Sequence, residues 1–356
     1  MFVFIIVIAA IAIVIGGFLV FSTYQVNHLR TMPLAEMLAY TTKKCKNAKI
    51  TIGVLQDGTA QYTLYGENGT ELPKHAYIYE IGSITKTFTT SLLLKAAGEG
   101  RLSLDDGIDK YLNLPPQDYY PTLRRLITHT AGYKSYHLDA RMISQFFRGK
   151  NSFTGITTEE LIKRAGNTKL VDKDYGFRYS NFGISLVGAA LSTIYGNGFI
   201  SLMNAFVSDD LGLENTNIIQ SASDAGRHWN WAADDAYTPA GALTSTIGDM
   251  LKYAEMHMDG TPEYLALTHE KLSGLNKNSA VNAKLNIRMD SIGAAWIKDE
   301  EHNIIWHNGG TRDQNSYLGF DPEKKLAVVV LSNLAYSFRI PATVIGAKLL
   351  TDLQKL

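Results

Sequence analysis

The chain has 356 residues, with 34 Lys+Arg against 34 Asp+Glu, a formal net charge of +0 and a single cysteine. Balanced charge leaves no basic footprint for nucleic acid, and a lone Cys45 excludes an intramolecular disulfide. The length exceeds that of a usual single domain but suits one catalytic unit of two lobes, and no low-complexity tract or fixed-period repeat interrupts it.

Met1 to Phe21 carries no charged or strongly polar side chain. As a helix it would be about 30 Å long, enough for one bilayer crossing. The run is long for a signal-peptide core, no Lys or Arg precedes it, and the small residues Ala10 and Ala12 lie inside it rather than after it. Residues 1–22 are therefore expected to be an uncleaved anchor, 23–47 a juxtamembrane linker, and 48–356 the catalytic domain. Arg30, Lys43, Lys44, Lys46 and Lys49 follow the anchor, and positive flanks favour the cytoplasm. Long domains can translocate despite such charge. The chemistry argued below suits a single-pass protein whose domain lies outside the cell membrane.

Ile50, Ile52 and Val54 alternate before Asp57-Gly58, and Tyr62, Leu64 and Tyr65 follow, which is a hairpin pattern. Asn68-Gly69-Thr70 reads as a second turn in preference to a glycosylation sequon. A helix opens at Ser83 and ends near Ala97, where Gly98 and Gly100 can close it; Phe88, Leu92 and Leu93 mark its buried face. Leu123 to Gly132 holds an apolar helix with His129 near its end, where imidazole complements terminal carbonyls. Residues 133–178 are polar and irregular around a helix at Thr158–Arg164. An apolar helix spans Ile184–Ile194, and Gly241 to Thr246 leads into a helix over Asp249–His257. The period then changes to strands at Ile292–Ile297, Asn303–His307, Ser316–Phe320 and Leu326–Leu331, before a last helix near Ile340–Leu353. The fold class is α+β: a sheet lobe from about 48–82 and 290–356, with a mostly helical lobe at about 100–240 between.

Three fragments carry chemistry. Ser83 is the one Ser followed three residues later by Lys, at Lys86. Residues three apart on a helix are surface neighbours, so an amine lies over a hydroxyl that needs a base to become a nucleophile. The bland alternative is a helix-capping Ser beside a solvated Lys. Tyr179-Ser180-Asn181 precedes the second apolar helix; Ser180 or Asn181 can cap it, while Tyr179 can shuttle a proton. Tyr111-Leu112-Asn113 and Tyr195-Gly196-Asn197 match the same spacing, but Tyr195 reads as a helix end closed by Gly196, and position before a helix favours Tyr179. His307-Asn308-Gly309-Gly310 lies in a strand, where paired glycines suggest close approach of a ligand or another backbone. Taken alone, it reads as a bulge.

In this order, Ser83-x-x-Lys86, Tyr179-x-Asn181 and His307-x-Gly309 resemble the serine beta-lactamase and penicillin-binding-protein superfamily. The likeness is to the branch of class C beta-lactamases, D-alanyl-D-alanine carboxypeptidases and related esterases, over roughly residues 48–353. It extends to Leu126–Gly132 and Ala240–Thr246. The resemblance implies a beta-lactamase/transpeptidase-like fold with an antiparallel sheet flanked by helices. It implies that Ser83 attacks an acyl carbonyl, that Lys86 and Tyr179 share the general-base role, and that Asn181 orients substrate and the Lys86 amine. Backbone N–H groups of Ser83 and Gly310 would form the oxyanion hole, Gly309 would belong to the same substrate-binding strand, and His307 would touch substrate opposite Tyr179. Many beta-lactamases of the superfamily carry Lys where His307 stands, so recognition of a substrate carboxylate is expected to weaken, unless Arg312 supplies the charge. The expected activity is hydrolysis of D-alanyl peptides or esters of the cell envelope, with weak beta-lactamase activity at most. The alternative is a penicillin-binding sensor or scaffold that is acylated without turnover. The nine His form no metal-ligand spacing, and no phosphate-cradling motif occurs, so no cofactor is expected, and no obligate protein partner.

Overall fold

The computed structural model describes residues 27–136, 139–218, 228–275 and 277–356. The expected anchor lies outside them. Among the described residues no single helix is long and apolar enough to cross a membrane.

The strands, in chain order, are β1 (Ile50–Gln56), β2 (Thr59–Tyr65), β3 (Glu71–Leu72), β4 (Tyr79–Glu80), β5 (Asn217–Ile218), β6 (Leu243–Ser245), β7 (Ser273–Gly274), β8 (Ser291–Ile292), β9 (Ile297–Asp299), β10 (Ile304–Gly310), β11 (Asn315–Asp321) and β12 (Leu326–Ser332). Nine of them form an antiparallel sheet in the order β3-β2-β1-β12-β11-β10-β9-β8-β7; β4, β6 and β5 form a small second sheet.

The sequence Leu-Ala-Val-Val-Val-Leu-Ser of β12 explains its central place. Successive side chains point to opposite faces, and here both faces are covered. Leu326, Val328 and Val330 enter one apolar cluster with the terminal helix Ala342–Leu353, and Ala327, Val329 and Leu331 enter the larger cluster shared with the helical lobe. Ile50 of β1 pairs with Ser332, which joins the two ends of the domain. The β1–β2 turn places both Asp57 and Gly58 at positive φ, 49° and 75°, the conformation a two-residue hairpin requires.

Two expectations are corrected. The segment assigned as linker contributes the helix Leu34–Thr42, whose Met37 and Leu38 are fully buried in the second cluster. It rests on the Asn68-Gly69 turn, where Gly69 N–H donates to Thr42 Oγ1 at 2.7 Å. Ile292–Ile297 is a tight hairpin rather than one strand: Ile292 pairs with Ile297, and Ala295 turns the chain with φ of 63°. Gly293 permits it, since a Cβ there would lie 2.3 Å from the Thr268 carbonyl.

The helix Thr85–Gly98 lies between sheet and helical lobe, and almost every side chain from Thr85 to Leu94 is buried. A helix covered all round is a core helix. Its polar positions are satisfied locally: Thr87 and Ser91 donate to carbonyls one turn back, and Thr90 reaches the Ala294 carbonyl at 2.8 Å.

Candidate active site

Ser83 stands in a single 3-10 turn, Gly82–Ile84, that runs into this central helix, so the α-helix begins two residues later than the sequence suggested. The tighter turn brings residues three apart into line. Lys86 Nζ lies 2.9 Å from Ser83 Oγ and 2.6 Å from the Ala240 carbonyl, and the side chain is wholly buried. Burial pushes the amine well below its usual pKa, which favours the neutral base.

Ala240 is held in place by packing. It sits in the short helix Thr238–Gly241, which Pro239 starts, and Thr89 Oγ1 donates to the Pro239 carbonyl at 2.8 Å. The helix Asn181–Tyr195 closes on this segment at Gly188, where a Cβ would come within 2.1 Å of Pro239. With one N–H fixed on a carbonyl, the amine has its lone pair available for the Ser83 proton.

Tyr179 hydrogen-bonds to Ser83 through its side chain, and its ring centroid is 4.9 Å from Lys86 Nζ. Burial raises the phenol, so it stays protonated at neutral pH. Ser180 caps the following helix: its Oγ accepts from Gly183 N–H at 2.9 Å and donates to the Lys134 carbonyl at 2.8 Å. Of the other Tyr-x-Asn matches, Tyr195 donates to Glu99 at the far end of that helix and Tyr111 to Asp106, so neither enters the site.

Asn181 is the first residue of its helix, and its Nδ2 lies 3.4 Å from Ser135 Oγ. The Lys86 amine is held by Ser83 Oγ and the Ala240 carbonyl.

His307, on β10, is buried with its ring 6.4 Å from that of Tyr179. Its Nδ1 donates to the Asn308 carbonyl at 2.6 Å, which leaves a lone pair on Nε2. Burial, reinforced by nearby Lys86, pushes the imidazole down to about 3, so it is neutral at physiological pH. Arg312 does not replace the missing charge inside the site: its guanidinium donates to the Phe146 carbonyl at 3.0 Å, at the end of the helix Ala140–Phe147.

The glycines let the turn before Ser83 and strand β10 approach closely. Gly82 has φ of 51°, and a Cβ on it would lie 2.6 Å from Gly310 N. A Cβ on Gly309 would lie 1.9 Å from the Ile81 carbonyl, which accepts from Ser316 Oγ at 2.8 Å. Backbone thus lies flush on backbone, with Gly310 N–H beside the Gly82–Ser83 peptide.

A hydroxyl with a buried amine, a neutral phenol and an amide niche between a 3-10 turn and a strand is an arrangement for acyl transfer. The family model described as Beta-lactamase matches residues 39–350. The chain belongs to the beta-lactamase family. This serine hydrolase is 25% identical over 337 residues to a beta-lactamase of Pseudomonas fluorescens, covering 81% of this chain and 89% of that protein. It is 23% identical over 278 residues to the protein named flp of Staphylococcus aureus, covering 72% of this chain and 53% of flp, so it spans about half the length of that relative. The fold is that of a beta-lactamase/D-alanine carboxypeptidase from Yersinia pestis, with a TM-score of 0.69 at 19% identity, covering 90% of this chain and 95% of that one.

Two residues of the beta-lactamase-family site escaped sequence reasoning. His129 is buried, and at φ of 58° it turns behind Tyr179, ring centroids 4.7 Å apart, so its Nδ1 meets a backbone N–H rather than the helix-terminal carbonyls expected for it. Its Nδ1 accepts from Ser180 N–H at 3.2 Å and its carbonyl accepts from Arg178 N–H at 2.8 Å, so it fixes Tyr179 from both sides.

Glu80 is the second. Its buried carboxylate accepts from Thr311 Oγ1 at 2.6 Å and from the Trp229 backbone N–H, tying the approach to Ser83 to the end of β10. A single acid in the apolar run Tyr79–Ile84 was the available signal. Burial pushes this carboxyl from its ordinary 4.5 up to about 7, against the lowering effect of both hydrogen bonds. Because the folded value is raised, the folded protein keeps a proton that the unfolded chain releases. The resulting stability is complete below about pH 4.5 and is lost as pH rises through 7, a change of about 3 kcal/mol. Glu80→Gln carries no such titration. Its Tm relative to wild type should therefore climb between pH 5 and pH 8, and parallel melting curves would remove the buried proton from Glu80.

Proposed function

We propose that the protein is a membrane-anchored hydrolase that forms an acyl-enzyme at Ser83 and acts on D-alanyl peptides or esters of the cell envelope, with weak beta-lactamase activity at most. The observation that carries this reading is the Lys86 amine, buried without an acidic partner among the described residues and held between Ser83 Oγ and the Ala240 carbonyl.

In the first step the amine takes the Ser83 proton while Oγ bonds to the substrate carbonyl carbon, and the carbonyl electron pair moves onto oxygen. The Ser83 and Gly310 amides receive that oxyanion, each donor worth roughly 3–4 kcal/mol in comparable sites. The Tyr179 phenol gives its proton to the leaving amine or alcohol and recovers one from the Lys86 ammonium. Water then attacks the ester through the same groups in reverse.

Neutral His307 supports a lean toward esters and peptides over anionic antibiotics, since an uncharged imidazole offers a substrate carboxylate no fixed charge. The carboxypeptidase named for the Yersinia pestis relative supports the D-alanyl class. The apolar run Met1 to Phe21 supports the anchor.

The test incubates the protein with a fluorescent penicillin and with p-nitrophenyl acetate, following product release and adduct mass together. Ester turnover with slow penicillin labelling, the label mapping to the Ser83 peptide, is the expected result. A stable adduct on Ser83 without turnover of either compound would favour the sensor, and an adduct elsewhere would remove Ser83 from the chemistry.

A further inference from the structure

The helix Ala140–Phe147 buries Met142 yet leaves Ile143, Phe146 and Phe147 exposed at 48%, 64% and 81%. An isolated exposed apolar residue needs no explanation, but three large ones on one short helix do. They form one wall of a cavity of about 440 Å³, within the size range of small-molecule sites.

Other lining residues connect through the chain or hydrogen bonds to segments of the candidate site. Tyr136 follows Ser135, the partner of Asn181. Arg312 stands two residues beyond Gly310, at most about 7 Å of chain, and its bond to the Phe146 carbonyl fastens the aromatic helix to the oxyanion strand. Trp229 is linked through its backbone N–H to Glu80, whose other oxygen takes the Thr311 hydroxyl. Three of the walls are thus tied to segments that run to the candidate site.

We propose that this cavity is the subsite for an apolar side group of the substrate, an aryl or medium-length alkyl group carried on the ester or amide that Ser83 attacks. The proposal rests on the reading of Ser83 as nucleophile. The exposed residues face a hollow whose Arg312 and Tyr136 follow closely in the chain on Gly310 and on the Asn181 partner Ser135, and a hydrocarbon bound there covers them and gains their contacts. A helix that merely lay on a bilayer would have no use for a tether to the oxyanion strand.

The test is substrate length against wall truncation. kcat/KM is measured for p-nitrophenyl acetate, butanoate, hexanoate and octanoate, and for acetate esters of methyl, butyl, hexyl and benzyl alcohol. Wild type, Phe146→Ala and Ile143→Ala are compared. Both side chains are exposed, so truncation opens no core cavity, and melting curves check the fold. In one of the two series the wild-type value should rise about tenfold per two methylenes, close to the transfer value for buried CH₂ groups, and each variant should reduce that rise at least threefold. Flat dependence in both series, or an unchanged slope in both variants, overturns the subsite.

Equilibrium binding to Ser83→Ala, read by tryptophan fluorescence, separates the two claims. Octanoate binding at least tenfold tighter than acetate, with the preference lost in Ser83→Ala/Phe146→Ala, supports the subsite even if wild type hydrolyses neither ester, in which case the hydrolase reading fails alone. Brisk turnover blind to chain length sinks the subsite and leaves the hydrolase. Binding to phosphatidylglycerol vesicles that needs Phe146 and Phe147, with ester selectivity intact in the variants, reassigns the wall to a membrane contact.

Discussion

Ser83→Ala and Lys86→Met are each expected to lower kcat/KM for p-nitrophenyl acetate by about 10⁴-fold, and the double variant to be no slower than the worse single one. Oγ without the amine is a weak nucleophile, and the amine without Oγ has no proton to accept, so the two losses describe one broken step. Lys86→Met adds a second, independent readout. The unfolded chain holds a solvated ammonium, whereas the folded protein buries the group and depresses its pKa. That penalty is present below the unfolded value near 10.5 and shrinks as pH rises toward it. At neutral pH Met of similar volume avoids it, so Lys86→Met should melt above wild type, the unpartnered Ala240 carbonyl offsetting part of the gain. The gap should narrow between pH 7 and pH 10. Additive rate losses, or a variant that is inactive and also less stable, would mean that Lys86 holds the structure together rather than activating Ser83.

Gly309→Ala is the second large effect. A Cβ only 1.9 Å from the Ile81 carbonyl has no room, and the contact is backbone against backbone, so no side chain can turn aside. Strand β10 must move away from Ile81–Ser83, which separates the two oxyanion donors. The loss of one donor is worth about 10²–10³ in kcat, and the forced shift should cost about 1–3 kcal/mol of stability. KM for a neutral ester should change much less than kcat, since the donors act on charge that develops after binding. Stopped kinetics and urea unfolding on the same preparation measure both. A variant with normal kcat would place the oxyanion elsewhere.

How much of this was legible depended on whether the signal was local. The unbroken apolar run of β12 and the Asp57-Gly58 turn announced the sheet, and Ser83-x-x-Lys86 announced an amine beside a hydroxyl, because each involves neighbours in the chain. The Ile292–Ile297 hairpin was hidden, since Gly293 matters only through its approach to Thr268, a residue on another segment. The helix Leu34–Thr42 was taken for a linker because its buried face is completed by the far end of the chain. Within the site, Tyr179 could be told from Tyr111 and Tyr195 by the helix that follows it. The tasks of His129, Glu80 and the Ala240 carbonyl could not be seen, for they act on partners 51 to 231 residues away. Arg312 was recognised as a cation in the right neighbourhood, but its direction across the cleft is a property of the fold.

The strand order also fixes when the site can exist. β10, which brings His307, Gly309 and Gly310, is joined to β1 only through β11 and β12, the last strands of the chain to be synthesised. Ser83, Lys86 and Tyr179 are therefore made first and wait without an oxyanion niche until the C-terminal strands insert between β1 and β10. Such non-local pairing is slow to form. A chain truncated before β12 is therefore expected to hold Ser83 and Lys86 without Gly310 settled beside them, so that the arrangement for acyl transfer is complete only when the whole domain has closed.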